Sequence, residues 1–209
     1  MTGHPTEALA FGQRAQAIAE SLGDVSLQVI GALSLGPTCL VTGDYRRAED
    51  LLLKALPLLE GDRSRERLGF SAFPAVLVHS YSAWGFADRG KFEEGVAHGQ
   101  EGIRLAEALD HPYSLAFACW VLADLHIIRG ELAQAVRLLE RELALSREWT
   151  LALFVPLGTA SLGYAYALSG RMAEGIALLE HALSASETMA SRLLLLFLRY
   201  LGEACVLAD

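Results

Sequence analysis

Strand-forming residues are scarce in this 209-residue chain: Val, Ile and Thr together number 23, against 71 Leu and Ala. Branched side chains suit a pleated sheet, whereas Leu and Ala are among the strongest helix formers, so the imbalance predicts an all-α protein. Cysteine is nearly missing too. Cys39, Cys119 and Cys205 stand far apart, in no CxxC or other metal-ligand spacing, so they read as structural thiols in a reducing, cytoplasmic compartment. Basic residues are outnumbered, 17 Lys and Arg against 25 Asp and Glu, and the resulting formal charge of −8 repels a phosphate backbone and excludes a general nucleic-acid binder. Long apolar runs are lacking as well. The most apolar stretch, Leu193 to Leu198, is bounded by Arg192, Arg199 and Glu203, while a membrane span needs about 20 apolar residues. The segment therefore predicts a buried helix, with no membrane as partner. No basic region followed by an apolar run opens the chain at Met1 to Pro5, so no secretory signal is expected.

Catalytic motifs are also missing. There is no GxSxG elbow, no HExxH pair and no GxxxxGK[ST] phosphate loop, so no catalytic residue, metal or cofactor is expected. The six histidines are scattered. His111 precedes Pro112 at a helix start and reads as a cap; His126 stands among bulky packing residues.

What the chain does have is a repeat, and a period of 20–50 residues determines a whole fold. Gly43, Gly90, Gly130 and Gly170 each lie in a turn-like string, and the same ruler reaches back to Gly3 and forward to Asp209. Other columns keep step. Two residues after the turn stand Tyr45, Phe92, Leu132 and Met172, all large and apolar; five after it Ala8, Ala48, Gly95, Ala135 and Gly175; twelve after it Ala15, Ala55, Gly102 and Ala182, with Glu142 the exception. Seven before it are Gly36, Ala83, Ala123, Gly163 and Gly202, and four before it Cys39, Phe86, His126, Tyr166 and Cys205. Two antiparallel helices approach closely only where small side chains face each other, and glycine supplies the left-handed residue that ends the first helix.

Ten helices are predicted. A lone second helix near 4–22 comes first, then pairs near 24–60, 72–109, 111–147 and 151–188, then an unpaired first helix near 189–208. Residues 1–209 form one repeat domain in this reading. Natural arrays end in polar capping elements, so two uncapped ends point to a fragment of a larger protein or to terminal faces that pair with another copy as a homodimer. The one long spacing places extra charged residues around Gly61 to Arg67, a solvated loop. Pro57 should end its helix, Pro112 should open one, and Pro37 should bend one.

The order of small, aromatic and turn residues, as in Gly163, Tyr166, Gly170, Met172, Gly175 and Ala182, resembles the tetratricopeptide repeat over nearly the whole chain. The period of about 40 departs from that family's 34, and the closing proline is absent. This longer variety resembles the repeat regions of bacterial signal-transduction ATPases linked to adenylate or guanylate cyclase or to helix-turn-helix domains. The resemblance implies a right-handed α-α superhelix of about five hairpins whose first helices line a concave surface. It further implies that positions ten and six residues before each turn face that surface. Here these are Leu33 and Pro37, Ser80 and Trp84, Trp120 and Asp124, Ala160 and Tyr164, Arg199 and Glu203. Of these, Ser80, Trp84, Trp120, Asp124, Tyr164, Arg199 and Glu203 are the binding candidates, because rigid aromatics give contact area and placed polar groups fix orientation. The alternative is that the aromatics fill space between repeats. The Lys and Asn clamp of chaperone-binding members is missing. The expected function is non-catalytic: a scaffold or sensor module that binds a protein or peptide partner, with a small-molecule effector as the alternative occupant. A second candidate cluster comprises the loops Phe70 to Pro74, His111 to Tyr113 and Trp149 to Pro156.

Overall fold

The glycines that mark the repeat end helices. Gly43, Gly90, Gly130 and Gly170 all have positive φ, between 71° and 84°, and the residue after each sends its N–H back to the carbonyl of the column four before the turn. Those bonds are Asp44 to Cys39 at 2.9 Å, Lys91 to Phe86 at 2.9 Å, Glu131 to His126 at 2.8 Å and Arg171 to Tyr166 at 2.9 Å. This is the Schellman closure, which satisfies the carbonyls that a helix end leaves unpaired. The next helix then begins at once, on Tyr45, Phe92, Leu132 or Met172.

The computed structural model of the chain describes residues 5–185 and 191–208, with side chains over 9–185 and 196–208; the turn positions Gly3 and Asp209 lie outside the described residues. Ten α-helices and no strand occur among them: α1 Pro5–Leu22, α2 Val25–Thr42, α3 Tyr45–Ala55, α4 Pro74–Asp88, α5 Phe92–Ala108, α6 Pro112–Arg129, α7 Leu132–Glu148, α8 Phe154–Leu168, α9 Met172–Ser184 and α10 Ser191–Ala208. The all-α class and the helix order are those the repeat predicts. Two compact units divide the chain, residues 1–114 and 115–209.

In the first unit α2 is the hairpin partner of α3. A Cβ at Gly36 would lie 2.9 Å from Leu52, so only glycine lets α3 seat there. Around this contact Cys39, Leu40 and Ala48 are buried, with Leu9, Tyr45, Leu51, Tyr81 and Trp84 packed on them. By length and composition α2 is the one helix among the described residues apolar enough to cross a membrane; the sequence alone drew attention to Leu193 to Leu198 instead. It packs against α1, α3 and α4 and runs through Pro37 as one helix, with the hydroxyls of Ser34, Thr38 and Thr42 each bonded to the carbonyl four residues earlier.

The longer connection is only partly irregular. Pro57 stops α3 and opens a 3-10 turn, Pro57–Leu59, followed by a second, Gly61–Arg65. Apart from half-buried Ser64, Gly61 to Arg67 is exposed, as its charge predicts. Arg67 ties its end down, donating to the Phe70 carbonyl at 3.1 Å and the Ser71 carbonyl at 3.0 Å, and lying 3.1 Å from His111 Nε2. His111 is the cap expected of it: its Nδ1 accepts the Ser114 N–H at 3.2 Å, on the first turn of α6.

In the second unit α8 and α9 cross on two glycines. A Cβ at Gly163 would lie 2.8 Å from the Gly175 carbonyl, and one at Gly175 would lie 2.5 Å from the Gly163 carbonyl. Backbone touches backbone there.

Candidate functional site

The first helices of the second unit, α6, α8 and α10, carry the best-formed polar and aromatic cluster. Tyr164 on α8 stacks on Tyr200 of α10, with ring centres 4.2 Å apart and planes within 8°. Tyr200 is buried and donates its hydroxyl to Asp124 Oδ1 on α6 at 3.1 Å. The Tyr164 hydroxyl donates to the Glu203 carboxylate. Arg199 lies 3.9 Å from Glu203 and 5.1 Å from the Tyr200 ring centre. Burial, then the bond to Glu203 and its charge, push the Tyr164 phenol up to about 12. Burial and then Asp124 raise Tyr200 well above the usual phenol range. Both hydroxyls therefore stay protonated, as donors that hold the two carboxylates in place. Beside this cluster Tyr164, Gly202, Glu203, Val206 and Leu207 line a cleft of about 440 Å³.

Four of the residues marked by the sequence, Asp124, Tyr164, Arg199 and Glu203, are thus brought together. Trp120 stands one turn before Asp124, but it is buried and its indole N–H donates to Ser161 Oγ at 3.1 Å, so it braces the wall. Ser80 and Trp84 belong to the other unit. Ser80 is buried and bonds to the Val76 carbonyl of its own helix at 2.8 Å, and Trp84 packs on the Cys39, Leu40 and Ala48 cluster. Sequence reasoning missed Tyr200 and Ser161. Both stand nine residues before a turn, a column the concave-surface rule passes over, although its Tyr81, Ser161 and Tyr200 are as distinctive as the columns chosen.

A second arrangement lies in the first unit. His79 on α4 and His98 on α5 meet Nδ1 to Nδ1 at 3.0 Å, and Phe86 stacks on His98 at 5.3 Å. Burial, and then the neighbouring imidazole, push His79 down to about 4, and burial lowers His98. At this contact one Nδ1 must donate and the other accept, an arrangement that two neutral imidazoles can make and two charged ones cannot. His79 opens onto a cleft of about 460 Å³ whose apolar wall includes Leu56, Leu59 and Leu105 and whose polar groups are Glu60, Ser64, Glu101 and Arg104. Arg104 is held by Glu101 through bonds of 2.6 and 2.7 Å. The 3-10 turns of the long connection supply one side, so the interruption of the repeat builds this cleft.

The edge loops behave as pins. Phe73 meets His111 edge to face at 5.0 Å and Phe154 is buried, while Trp149 is exposed. Among the described residues no group of three or more His, Cys, Asp or Glu is placed to hold a metal ion.

No protein-family model matches the chain, and no curated protein matches it. Solved structures do. The crystal structure of BtubC (BKLC) from P. vanneervenii superposes with a TM-score of 0.74 at 17% identity, over 98% of this chain and 84% of that one. A Podosopora anserina protein described as a kinesin light chain with nearly identical TPR-like repeats gives 0.63 at 19% identity, over 88% of each chain. Aspartyl phosphate phosphatase F from Bacillus subtilis gives 0.75 at 14% identity, over 98% of this chain and 51% of that one. Such identities speak for the fold alone, and the fold they give is that of a tetratricopeptide-like array of helical hairpins.

Proposed function

We propose that the protein is a non-catalytic interaction module that binds a segment of a partner protein on the face of α6, α8 and α10. The observation that carries this reading is the Tyr164–Tyr200 stack with Asp124, Glu203 and Arg199 at the edge of an apolar cleft. Flat aromatic surface gives contact at little entropic cost, and the two fixed carboxylates select a basic side chain. Val206 and Leu207 offer a seat for an apolar neighbour in the same segment. In this reading residues 1–209 act as one repeat domain of a larger cytoplasmic bacterial signalling protein, where occupancy alters the curvature of the array. The likeness of the repeat to signal-transduction ATPases supports that setting, as does a structural neighbour named for an aspartyl phosphate phosphatase.

The test is selection of binders from a displayed peptide library, followed by affinity measurements on wild type, Tyr164→Ala and Glu203→Gln. Selected peptides should pair a Lys or Arg with a nearby apolar residue and lose at least about tenfold affinity, 1.4 kcal/mol, on Tyr164→Ala. Peptides that bind both variants as well as wild type would sink the reading.

A small-molecule effector is the second reading, and the cleft at His79 favours it. The Nε2 of His79 has no hydrogen-bond partner among the described residues and stands with Ser64 and Arg104 over an apolar wall. A thermal shift given by a metabolite and lost in His79→Phe would support it; a shift unchanged by that substitution would place the ligand elsewhere.

A further inference from the structure

Between the second helices α1 and α3 lies a slot of about 470 Å³ whose floor is α2. The lining is apolar at Ala32 and Leu35 of α2 and Leu51 of α3, and Leu58 of the first 3-10 turn closes one end. Polar side chains cross it on two rungs. At the first, Gln13 of α1 faces Arg47 of α3, and its amide oxygen accepts from both terminal guanidinium nitrogens at 2.5 and 2.8 Å. Seven residues further along both helices, Glu20 and Lys54 line the slot together with Asp50. Asp50 accepts from the Lys54 ammonium at 2.9 Å and, with a smaller contribution from Glu20, raises it above the usual lysine range. The donor to Glu20 is a neutral group, the Gln16 amide at 3.2 Å.

These charges do not cancel locally. Among the described residues no carboxylate pairs with the Arg47 guanidinium and no cation bonds to Glu20, while Lys54 and Asp50 neutralise each other. One positive charge is left over at the first rung and one negative charge at the second. Seven residues of α-helix rise about 10 Å, so the slot is a dipole of about that length beside an apolar floor. A guanidinium carries five donors and Gln13 engages two, which leaves a fork for an anion.

The slot is a feature of the repeat. The same columns line the cleft at His79, in mid-chain and one repeat on: Glu20 recurs as Glu60, Ala32 as His79, Lys54 as Glu101 and Leu58 as Leu105. The charge is what differs. There Glu101 holds Arg104 in a closed pair, and no lining cation is left over to oppose Glu60.

We infer that the slot between α1 and α3 is a binding site for an elongated zwitterion, with its acidic head on Arg47, its basic head on Glu20 and an apolar spacer along Ala32, Leu35 and Leu51. Opposite charges at the two ends set the register, and the spacer displaces water from the floor. A molecule with one charge leaves a rung unmet, and a compact α-amino acid reaches only one. Two sources carry this chemistry, an aliphatic ω-amino acid and a free peptide of about three residues, because an extended chain covers about 3.3–3.6 Å per residue. The site rests on neither reading of the function given above.

The experiment is calorimetric titration of the full 209-residue protein with 8-aminooctanoate at low salt, where exposed charges are least screened. Octanoate and octylamine are the single-charge controls. The zwitterion should bind with a Kd of about 1 mM or tighter, and each control at least about tenfold more weakly. With helix content unchanged, Arg47→Gln should bind the zwitterion no more tightly than octylamine, and Glu20→Gln no more tightly than octanoate. Arg14→Gln, which removes an exposed charge of α1 outside the slot, should change nothing. Absence of binding up to about 10 mM overturns the inference. So does a control that binds as well as the zwitterion, or an affinity that neither Arg47→Gln nor Glu20→Gln lowers. Tri-alanine separates the sources: binding tighter than that of 8-aminooctanoate and lost on C-terminal amidation assigns the slot to short peptides, and weaker binding assigns it to the ω-amino acid.

Discussion

Two contacts on opposite sides of α8 solve the same packing problem in different ways. Toward α9, Gly163 and Gly175 remove both side chains and let the backbones touch. Toward α7, the position that is Ala55, Gly102 or Ala182 in other hairpins is Glu142, fully buried, with its carboxyl occupying the space a Cβ on Gly158 would fill. Ser146 Oγ donates to Glu142 Oε1 at 2.6 Å, while Oε2 has no partner. The first contact is independent of pH and intolerant of volume. The second admits a large side chain but makes the α7–α8 contact depend on a proton, because an ionised carboxylate without full hydrogen bonding is costly to bury.

Gly175→Leu should do the greatest damage. The added Cβ would sit 2.5 Å from the Gly163 carbonyl and 2.7 Å from the Ala167 nitrogen, both backbone atoms that cannot turn aside. Loss of more than about 3 kcal/mol is expected in urea unfolding. A loss below about 1 kcal/mol would show that α8 and α9 separate easily and that the glycine contact is not what sets their distance.

Acidity should separate the two contacts next. Burial pushes the Glu142 carboxyl up to about 7 from its usual 4.5, with Ser146 and Arg147 acting in the opposite direction. The folded value lies above the unfolded one, so this group's stabilising share is fully present below pH 4.5 and is lost as pH rises through 7. The fall amounts to about 3 kcal/mol across that window. Wild type should therefore lose stability between pH 4.5 and pH 7 relative to Glu142→Gln, whose amide does not titrate. Parallel curves for the two proteins would mean that Glu142 is ionised in the folded chain.

Gly158→Ala should cost about 2 kcal/mol by overpacking against the Glu142 carboxyl. Glu142→Ala restores the small residue of the repeat at that column and should relieve most of this. The double variant should be more stable than Gly158→Ala alone, a coupling expected of side chains that occupy one space. Additive losses would place the carboxyl elsewhere.

The repeat was legible because glycine at a left-handed turn and small residues at a close crossing are each demanded by sterics, and each recurs at Gly43, Gly90, Gly130 and Gly170. Helix ends at Pro57 and Pro112 were legible for the same local reason. The connections from second helix to first were not. Asp110 and Thr150 take positive φ, 47° and 53°, where sequence gives no glycine to mark them. At the candidate site the spacing rule found Asp124, Tyr164, Arg199 and Glu203, yet Trp120 and Ser80 obey the same rule and are buried. Whether a side chain at a given column faces water depends on how deeply its neighbours cover it, a tertiary quantity that one helix does not encode. Glu142 was visible as an exception, but its meaning required Gly158, sixteen residues away on the facing helix.

Ser146→Ala is the finest probe of the contrast. It removes the hydrogen bond that Ser146 Oγ gives the Glu142 carboxyl, leaves the volume nearly unchanged and touches nothing at the Gly163–Gly175 crossing. With the acid protonated near pH 4.5 the cost should be about 1 kcal/mol, the net worth of one buried hydrogen bond. The bond to Ser146 lowers the Glu142 value, so its removal should also move the stability loss to higher pH. A variant that loses stability equally at every pH would show that the serine fills space beside the carboxyl without influencing its proton. A shift of the transition toward alkaline pH would make the α7–α8 contact a tuned acid, one that the bare glycines of α8 and α9 do not need.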